Sequence, residues 1–253
     1  MNISLHEKKI FFASDFHLGA PDKNSSRLRE QKIIRWLTEI EEEAAAIFLV
    51  GDIFDFWFEY KTVIPKGFLP FLAKISDLRQ KNIPIVFFTG NHDLWMKDYF
   101  TEELGIPVYH HPIELTVENK KLLVGHGDGL GPGDYQYKVL KKVFTNPFCQ
   151  WLFRWLHPDL GVALALKWSK SSRISNLQKN EGEFKGEDEW LWQYCRQVEK
   201  SKHFDFYLFG HRHLPLNLPV GDRSRYINLG EWVNQYTYGV FDGKEVALKT
   251  FEG

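Results

Sequence analysis

Short apolar runs that halt on a polar cluster recur along this chain. Residues 11–13 lead into Ser14-Asp15-Phe16-His17 and stop at Gly19. Residues 47–50 run into Gly51-Asp52, and residues 83–88 into Gly90-Asn91-His92-Asp93. Residues 121–124 meet Gly125-His126-Gly127-Asp128, and residues 204–209 meet Gly210-His211-Arg212-His213. Runs this short, rich in Val, Ile and Phe, predict strands buried on both faces. The glycine beside each cluster lets the backbone turn sharply or approach another group closely. Helical periodicity separates the first three runs. Leu28, Ile33, Ile34, Leu37 and Ile40 mark one side of residues 27–43, and Phe68, Leu69, Leu72, Ile75 and Leu78 mark one side of residues 66–81. Alternation of this kind predicts βαβ units and a largely parallel sheet early in the chain. Ligands of such sheets bind beyond the carboxyl ends of the strands, so all five polar clusters are expected along one edge. The tail reads differently. RYINLGEW, TYGVF and EVALKTF predict strands, the last two joined by the hairpin signal Asp242-Gly243-Lys244. They are expected to supply a second sheet packed face to face on the first. The expected fold class is α/β, a four-layer α/β/β/α sandwich with helices outside.

Composition narrows the setting. A chain of 253 residues, 43% hydrophobic, can bury a sizeable core. No internal repeat or clear linker divides it, so a single domain over 1–253 is expected. A formal net charge of −1 offers no footprint for nucleic acid. Cys149 and Cys195 lie far apart without CxxC spacing, which suits a reducing compartment and argues against thiolate metal sites. The first residues lack the apolar core of a signal peptide, and no run of about 18 apolar residues predicts a membrane span.

Collected, the clusters offer Asp15, His17, Asp52, Asn91, His126, His211 and His213. Asp15 and His17 share parity, so on a strand both would face one object. Seven such ligands are too many for one ion and suit two ions sharing a bridging carboxylate. Nitrogen and oxygen donors without thiolate favour manganese, with iron or zinc as alternatives. His6, His110, His111, His157 and His203 lie outside the clusters and read as surface or core residues.

The succession D-x-H, GD, GNHD, GH, GHRH resembles the calcineurin-like metallophosphoesterase superfamily in order and number. That resemblance implies one metal held by Asp15, His17, Asp52 and His213. A second would be held by Asp52, Asn91, His126 and His211, with Asp52 bridging. Two such cations clamp the attacking and leaving oxygens at phosphorus. His92, beside Asn91, is placed to donate to a phosphate oxygen or protonate a leaving group. Asp93 is expected to orient His92, so His92 and Asp93 are the candidate catalytic pair. Asp55, three residues after Asp52, reads equally as a support behind the ligands or as a loop cap.

GDIFDFWFEY resembles the second motif of the UDP-2,3-diacylglucosamine pyrophosphohydrolases, bacterial enzymes of lipid A synthesis that release UMP. The likeness runs along nearly the whole chain. It implies an acylated sugar-nucleotide substrate, attack at the α-phosphorus, and a cytoplasmic protein peripheral on the inner face of the inner membrane. It also implies a helical lid, here at about 135–185. In that segment Phe148, Trp151, Leu152, Trp155 and Leu156 follow helical spacing after the start signal Asn146-Pro147. An ordinary helical hairpin would show the same stripe; the excess of tryptophan favours a lipid-facing one. Ser172, Asn176 and Lys179 share a helical face. With Asp134, Asn91, His92 and His211, they match substrate contacts of the family. His92 stands where well-established members often carry arginine. Two other readings remain at this level: a phosphodiesterase or phosphatase for another substrate, and a non-catalytic scaffold of the same fold.

Overall fold

The computed structural model describes residues 3–133, 135–178 and 183–253; the side chains of residues 136 and 170–178 lie outside that description. The chain begins as the apolar pattern predicts. β1 (Lys9–Ala13), α1 (Lys23–Ile40), β2 (Ala44–Val50), α2 (Leu69–Gln80), β3 (Ile85–Phe88), α3 (Tyr99–Leu104) and β4 (Val108–Tyr109) build a parallel β1-β2-β3-β4 array. Alternate residues explain why the strand runs are continuously apolar. Phe11 and Ala13 pack under α1 and α2, whereas Ile10 and Phe12 face the opposite sheet. Helix boundaries shift from the periodic estimate. α1 starts four residues earlier than 27, because the Asp22 carboxylate accepts from the backbone N–H groups of Asn24 and Ser25. It stops before Glu41-Glu42-Glu43, where acidic side chains would sit against the negative end of the helix.

The second sheet comes from the middle of the chain. β5 (Ile113–Val117) and β6 (Lys120–Gly125) form a hairpin. Helices α4 (Tyr135–Phe144), α5 (Pro147–Arg154), α6 (Pro158–Gln178) and α7 (Trp190–Glu199) follow. The chain then returns as β7 (Phe206–Phe209), β8 (Pro215–Pro219) and β9 (Arg225–Leu229), giving the order β5-β6-β7-β9-β8. The last two strands, β10 (Thr237–Phe241) and β11 (Val246–Thr250), correct the expectation for the tail. They pair antiparallel beside β1 and so extend the first sheet to the order β11-β10-β1-β2-β3-β4. β10 is buried along its length, and its pairing with β1 removes what would otherwise be an open, apolar edge. Of the tail strands, only β9 lies in the second sheet.

The two sheets meet face to face through Phe12, Phe48, Val86, Leu122, Leu208 and Ile227. α1 and α2 cover the outer face of the first, and α7 covers the second through Leu191 and Cys195 against Tyr207 and Tyr226. The result is the expected α/β/β/α layering, with the five cluster-bearing strands divided between the sheets: β1, β2 and β3 in one, β6 and β7 in the other. Their carboxyl ends still converge. Asp15 N–H donates to Gly51 O, Gly210 N–H to His126 O, and His211 N–H to the Asp15 carboxylate.

Helices α4 to α6 carry a different surface. Most exposed large apolar side chains among the described residues fall here, with Trp155 75% and Phe148 64% exposed. Asn146 caps α5 as the sequence predicts, its side chain accepting from the N–H groups of Phe148 and Cys149.

Candidate metal centre

Asp15, His17, Asp52, His211 and His213 all adopt left-handed backbone with φ between +44° and +69°. Residues with a Cβ seldom do so, and such conformations collect at functional sites where the surroundings enforce them. Asp15 and His17 therefore converge through two turns of the loop after β1, and not through the strand parity read from the sequence. The glycines make the crowding possible. A Cβ at Gly210 would lie 2.6 Å from Asp15 Oδ2, and one at Gly90 would collide with the Asp52 carboxylate.

These turns bring Asp15, His17, Asp52 and His213 into one cluster able to hold a metal ion. His213 Nε2 lies 3.0 Å from Asp15 Oδ1 and 3.1 Å from His17 Nε2, which is itself 3.8 Å from Asp52 Oδ2. Asp52 Oδ2 is also 3.4 Å from His126 Nε2, and His211 Nδ1 is 2.9 Å from Asn91 Oδ1. Asp52 thus stands between His17 on one side and His126 on the other. His126 donates through Nδ1 to Val50 O at 2.9 Å, and its buried Nε2 has no hydrogen-bond partner. A bare ring nitrogen facing a carboxylate is repelled by it unless a proton or a cation lies between. The donor set therefore fits divalent cations, with imidazole and carboxylate ligands and no thiolate.

Electrostatics point the same way. Burial opposes charge on both rings. Even so, Asp15, Asp55 and Asp52 around His17, and Asp52 beside His126, raise each ring from 6.5 to about 10. Burial and the neighbouring His126 push His211 down to about 4. Burial likewise opposes ionisation of Asp52, yet His126, His92 and His17 hold it below the usual carboxylate range. Without metal, His17 and His126 are therefore protonated at neutral pH. Their protons stabilise the metal-free fold below about pH 6.5 and are lost as pH rises through about 10. A cation must displace them, so metal affinity should rise with pH across that window. Calorimetric titration at pH 7.5 in buffers of different ionisation heat should detect protons released on loading; a heat independent of the buffer contradicts this.

The calcineurin-like phosphoesterase family model matches residues 8–215. The chain belongs to that family. As a calcineurin-like phosphoesterase it is a metal-dependent phosphoester hydrolase, and its His/Asp cluster is able to hold a metal ion. It is 37% identical to the UDP-2,3-diacylglucosamine hydrolase of Porphyromonas gingivalis, over 96% of this chain and 98% of the relative. It is 27% identical to the enzyme of the same name from Aeromonas salmonicida, over 88% and 86%. A solved archaeal phosphodiesterase superposes with a TM-score of 0.48 at 16% identity, covering 95% of this chain and 98% of that one.

In this calcineurin-like phosphoesterase the ring of His92 sits 4.9 Å from that of His17, and the His92 backbone N–H donates to Asp52 Oδ1 at 2.8 Å. Asp93 does not take the orienting part expected of it. Its carboxylate accepts from the backbone N–H groups of Gly90, Asp52, Ile53 and Phe54, clamping the β2 and β3 loops together. Four backbone donors engage both oxygens, and the groups that meet His92 Nδ1 are Asp55 and Ser169. Sequence reasoning missed Ser169, which has no motif around it. It also left Asp128 without a role. That buried carboxylate accepts from the Tyr137 hydroxyl and from Lys141 at 2.6 Å, tying α4 to the end of β6. Asp134 and Lys179 lie outside the described residues. Ser172 and Asn176 fall on α6 with side chains outside the description.

Proposed function

We propose that this chain hydrolyses the pyrophosphate of UDP-2,3-diacylglucosamine, giving UMP and 2,3-diacylglucosamine 1-phosphate in lipid A synthesis. The observation that carries this reading is an apolar cavity of about 250 Å³ running from Asn91 and His92 to Trp95, Phe144, Phe153 and Trp168. A small polar phosphoester has no use for such a lining, whereas acyl chains do. Each CH₂ buried there contributes roughly 0.8 kcal/mol, some of which can hold the pyrophosphate against the metal cluster. Near full-length similarity to two relatives named for this substrate supports the same reading.

In this reading Asp15, His17, Asp52 and His213 hold one divalent ion, and Asp52, Asn91, His126 and His211 the other. Manganese is the preferred metal. Bound there, the ions supply charge that polarises phosphoryl oxygens and acidifies water. The rest falls to side chains. His92 Nδ1 is held by a carbonyl, so Nε2 is the nitrogen that exchanges a proton or meets a phosphate oxygen. Asn91, His211, Asp134, Ser172, Asn176 and Lys179 bind the head group. Helices α4 to α6 act as the lid, and exposed Phe148, Trp151 and Trp155 seat it on the cytoplasmic face of the inner membrane. Among the described residues no helix is long and apolar enough to cross a membrane.

Turnover of UDP-2,3-diacylglucosamine in water enriched in heavy oxygen tests the proposal. Label should appear in UMP and not in the sugar phosphate, because attack at the α-phosphorus leaves the new oxygen there. Trp151→Ser with Trp155→Ser should depress kcat/KM on this substrate while sparing bis(p-nitrophenyl) phosphate. Cleavage of the small diester with no turnover of the diacyl substrate would assign the enzyme to another phosphoester.

A further inference from the structure

Asp55 sits behind the metal cluster, 2% exposed, in the loop after β2. Its Oδ1 is 3.7 Å from His17 Nδ1 and 3.7 Å from His92 Nδ1. One carboxylate therefore faces the outer nitrogens of a metal-cluster imidazole and of the candidate proton-transfer imidazole. Ser169 joins this group from outside the sandwich. It is an α6 residue, 8% exposed, and its hydroxyl donates to Asp55 Oδ1 at 3.0 Å. The Ser169 Oγ lies 3.2 Å from His92 Nδ1, which is also 3.1 Å from the Asp55 carbonyl. A carbonyl only accepts, so His92 Nδ1 carries the proton. The Ser169 hydroxyl spends its single proton on Asp55 and has lone pairs left for that N–H.

We infer that Ser169 is a positioning residue: through it α6 fixes the orientation of His92, whose tautomer the Asp55 carbonyl sets, and steadies Asp55 behind His17. The inference deepens the proposed function and rests on its assignment of His92. Ser169, Trp168, Ala165 and Leu164 also line the apolar cavity. Positions 172 and 176, proposed head-group contacts, lie one and two turns further along the same helix. The helix that borders the substrate cavity thus also positions the imidazole proposed to act on the phosphate. Helix α6 therefore lines the cavity and holds the imidazole with the same turn.

The test uses the full, metal-loaded chain with Ser169→Ala and Ser169→Thr. Both UDP-2,3-diacylglucosamine and bis(p-nitrophenyl) phosphate are turned over, and His92 ring ¹⁵N shifts are read by NMR on the zinc-loaded protein. Ser169→Ala should lower kcat about tenfold on both substrates, the scale of one lost hydrogen bond, with KM for the diacyl substrate within about twofold of wild type. The His92 Nδ1 signal should shift and broaden while staying that of the Nδ1–H tautomer, because the Asp55 carbonyl still accepts from it. Ser169→Thr, which keeps the hydroxyl, should restore most of the rate and the signal. Unchanged kcat and shifts in Ser169→Ala overturn the inference, as does a Ser169→Thr variant as impaired as Ser169→Ala. A wild type that ignores the diacyl substrate would refute the lipid reading alone, since the small diester and the NMR signals still report on Ser169.

Discussion

Asp52→Ala should abolish phosphoester hydrolysis and reduce bound metal from two ions per chain to fewer than one. Asp52 is 1% exposed and lies between the two halves of the cluster. Its Oδ2 faces His17 Nε2 at 3.8 Å and His126 Nε2 at 3.4 Å, and its Oδ1 accepts from the His92 backbone. No other carboxylate in the cluster faces both rings this closely. Removing it leaves His17 with Asp15 alone on the cluster side, and leaves His126 with no acid at ligand distance. Asp52 also holds a backbone φ of +53°, which alanine tolerates poorly. Asp52→Asn separates fold from charge, because asparagine accepts the left-handed region readily. It should fold like wild type, bind metal weakly and hydrolyse bis(p-nitrophenyl) phosphate at background rate. Elemental analysis finding one tightly held ion with full activity in either variant would remove Asp52 from its bridging role.

The first half of the fold is legible because its signals are local. Residues 47–50 are apolar throughout because β2 is covered on both faces, and Leu37 and Ile40 repeat with the helix because only one face of α1 is covered. The seven candidate ligands are legible for a related reason: a strand that ends on Asp, His or Asn instead of a neutral turn residue spends stability on something other than folding. What pairs with what is not local. TYGVF and VALKT carry the same alternation whether they join one sheet or the other, and only the uncovered edge of β1 decides. The left-handed turns at Asp15, His17, Asp52, His211 and His213 leave no signature either, because a lone positive φ at Asp or His carries no mark in the sequence and is enforced by packing around it. Asp93 looked catalytic by adjacency to His92, but successive side chains in a tight turn diverge, and its carboxylate went to four backbone N–H groups. Ser169 was invisible for the opposite reason. It is 77 residues from His92 in sequence, and nothing in SSRISNLQK marks the serine before it.

His92→Ala should lower turnover by about 10²–10⁴-fold, the range for loss of a general acid or base, without changing metal content. The two effects separate because the hydrogen bond from His92 to the bridging Asp52 comes from its backbone. The N–H that donates to Asp52 Oδ1 survives in alanine, while the ring, which meets Asp55 and Ser169 on its Nδ1 side, is lost. Loss of metal together with activity would make the ring a ligand or a structural prop, and wild-type turnover would remove it from the reaction. His92→Arg then divides the remaining role. Burial lowers the His92 pKa from 6.5, so the resting ring is uncharged with its proton on Nδ1; the negative charge of an incoming pyrophosphate favours a second proton on Nε2, which then donates to a phosphoryl oxygen. Arginine stays charged and offers several N–H donors but transfers no proton. If His92 serves by stabilising charge on the phosphoryl oxygens, His92→Arg recovers most of what His92→Ala loses. If it serves by moving a proton to the departing sugar phosphate, arginine recovers little. The second outcome is the weaker expectation, because a phosphate oxygen leaves readily without protonation whereas the pyrophosphate brings negative charge to His92 in every cycle. The measurement is kcat for wild type and both variants on UDP-2,3-diacylglucosamine at matched metal occupancy, and arginine should stand closer to wild type than to alanine.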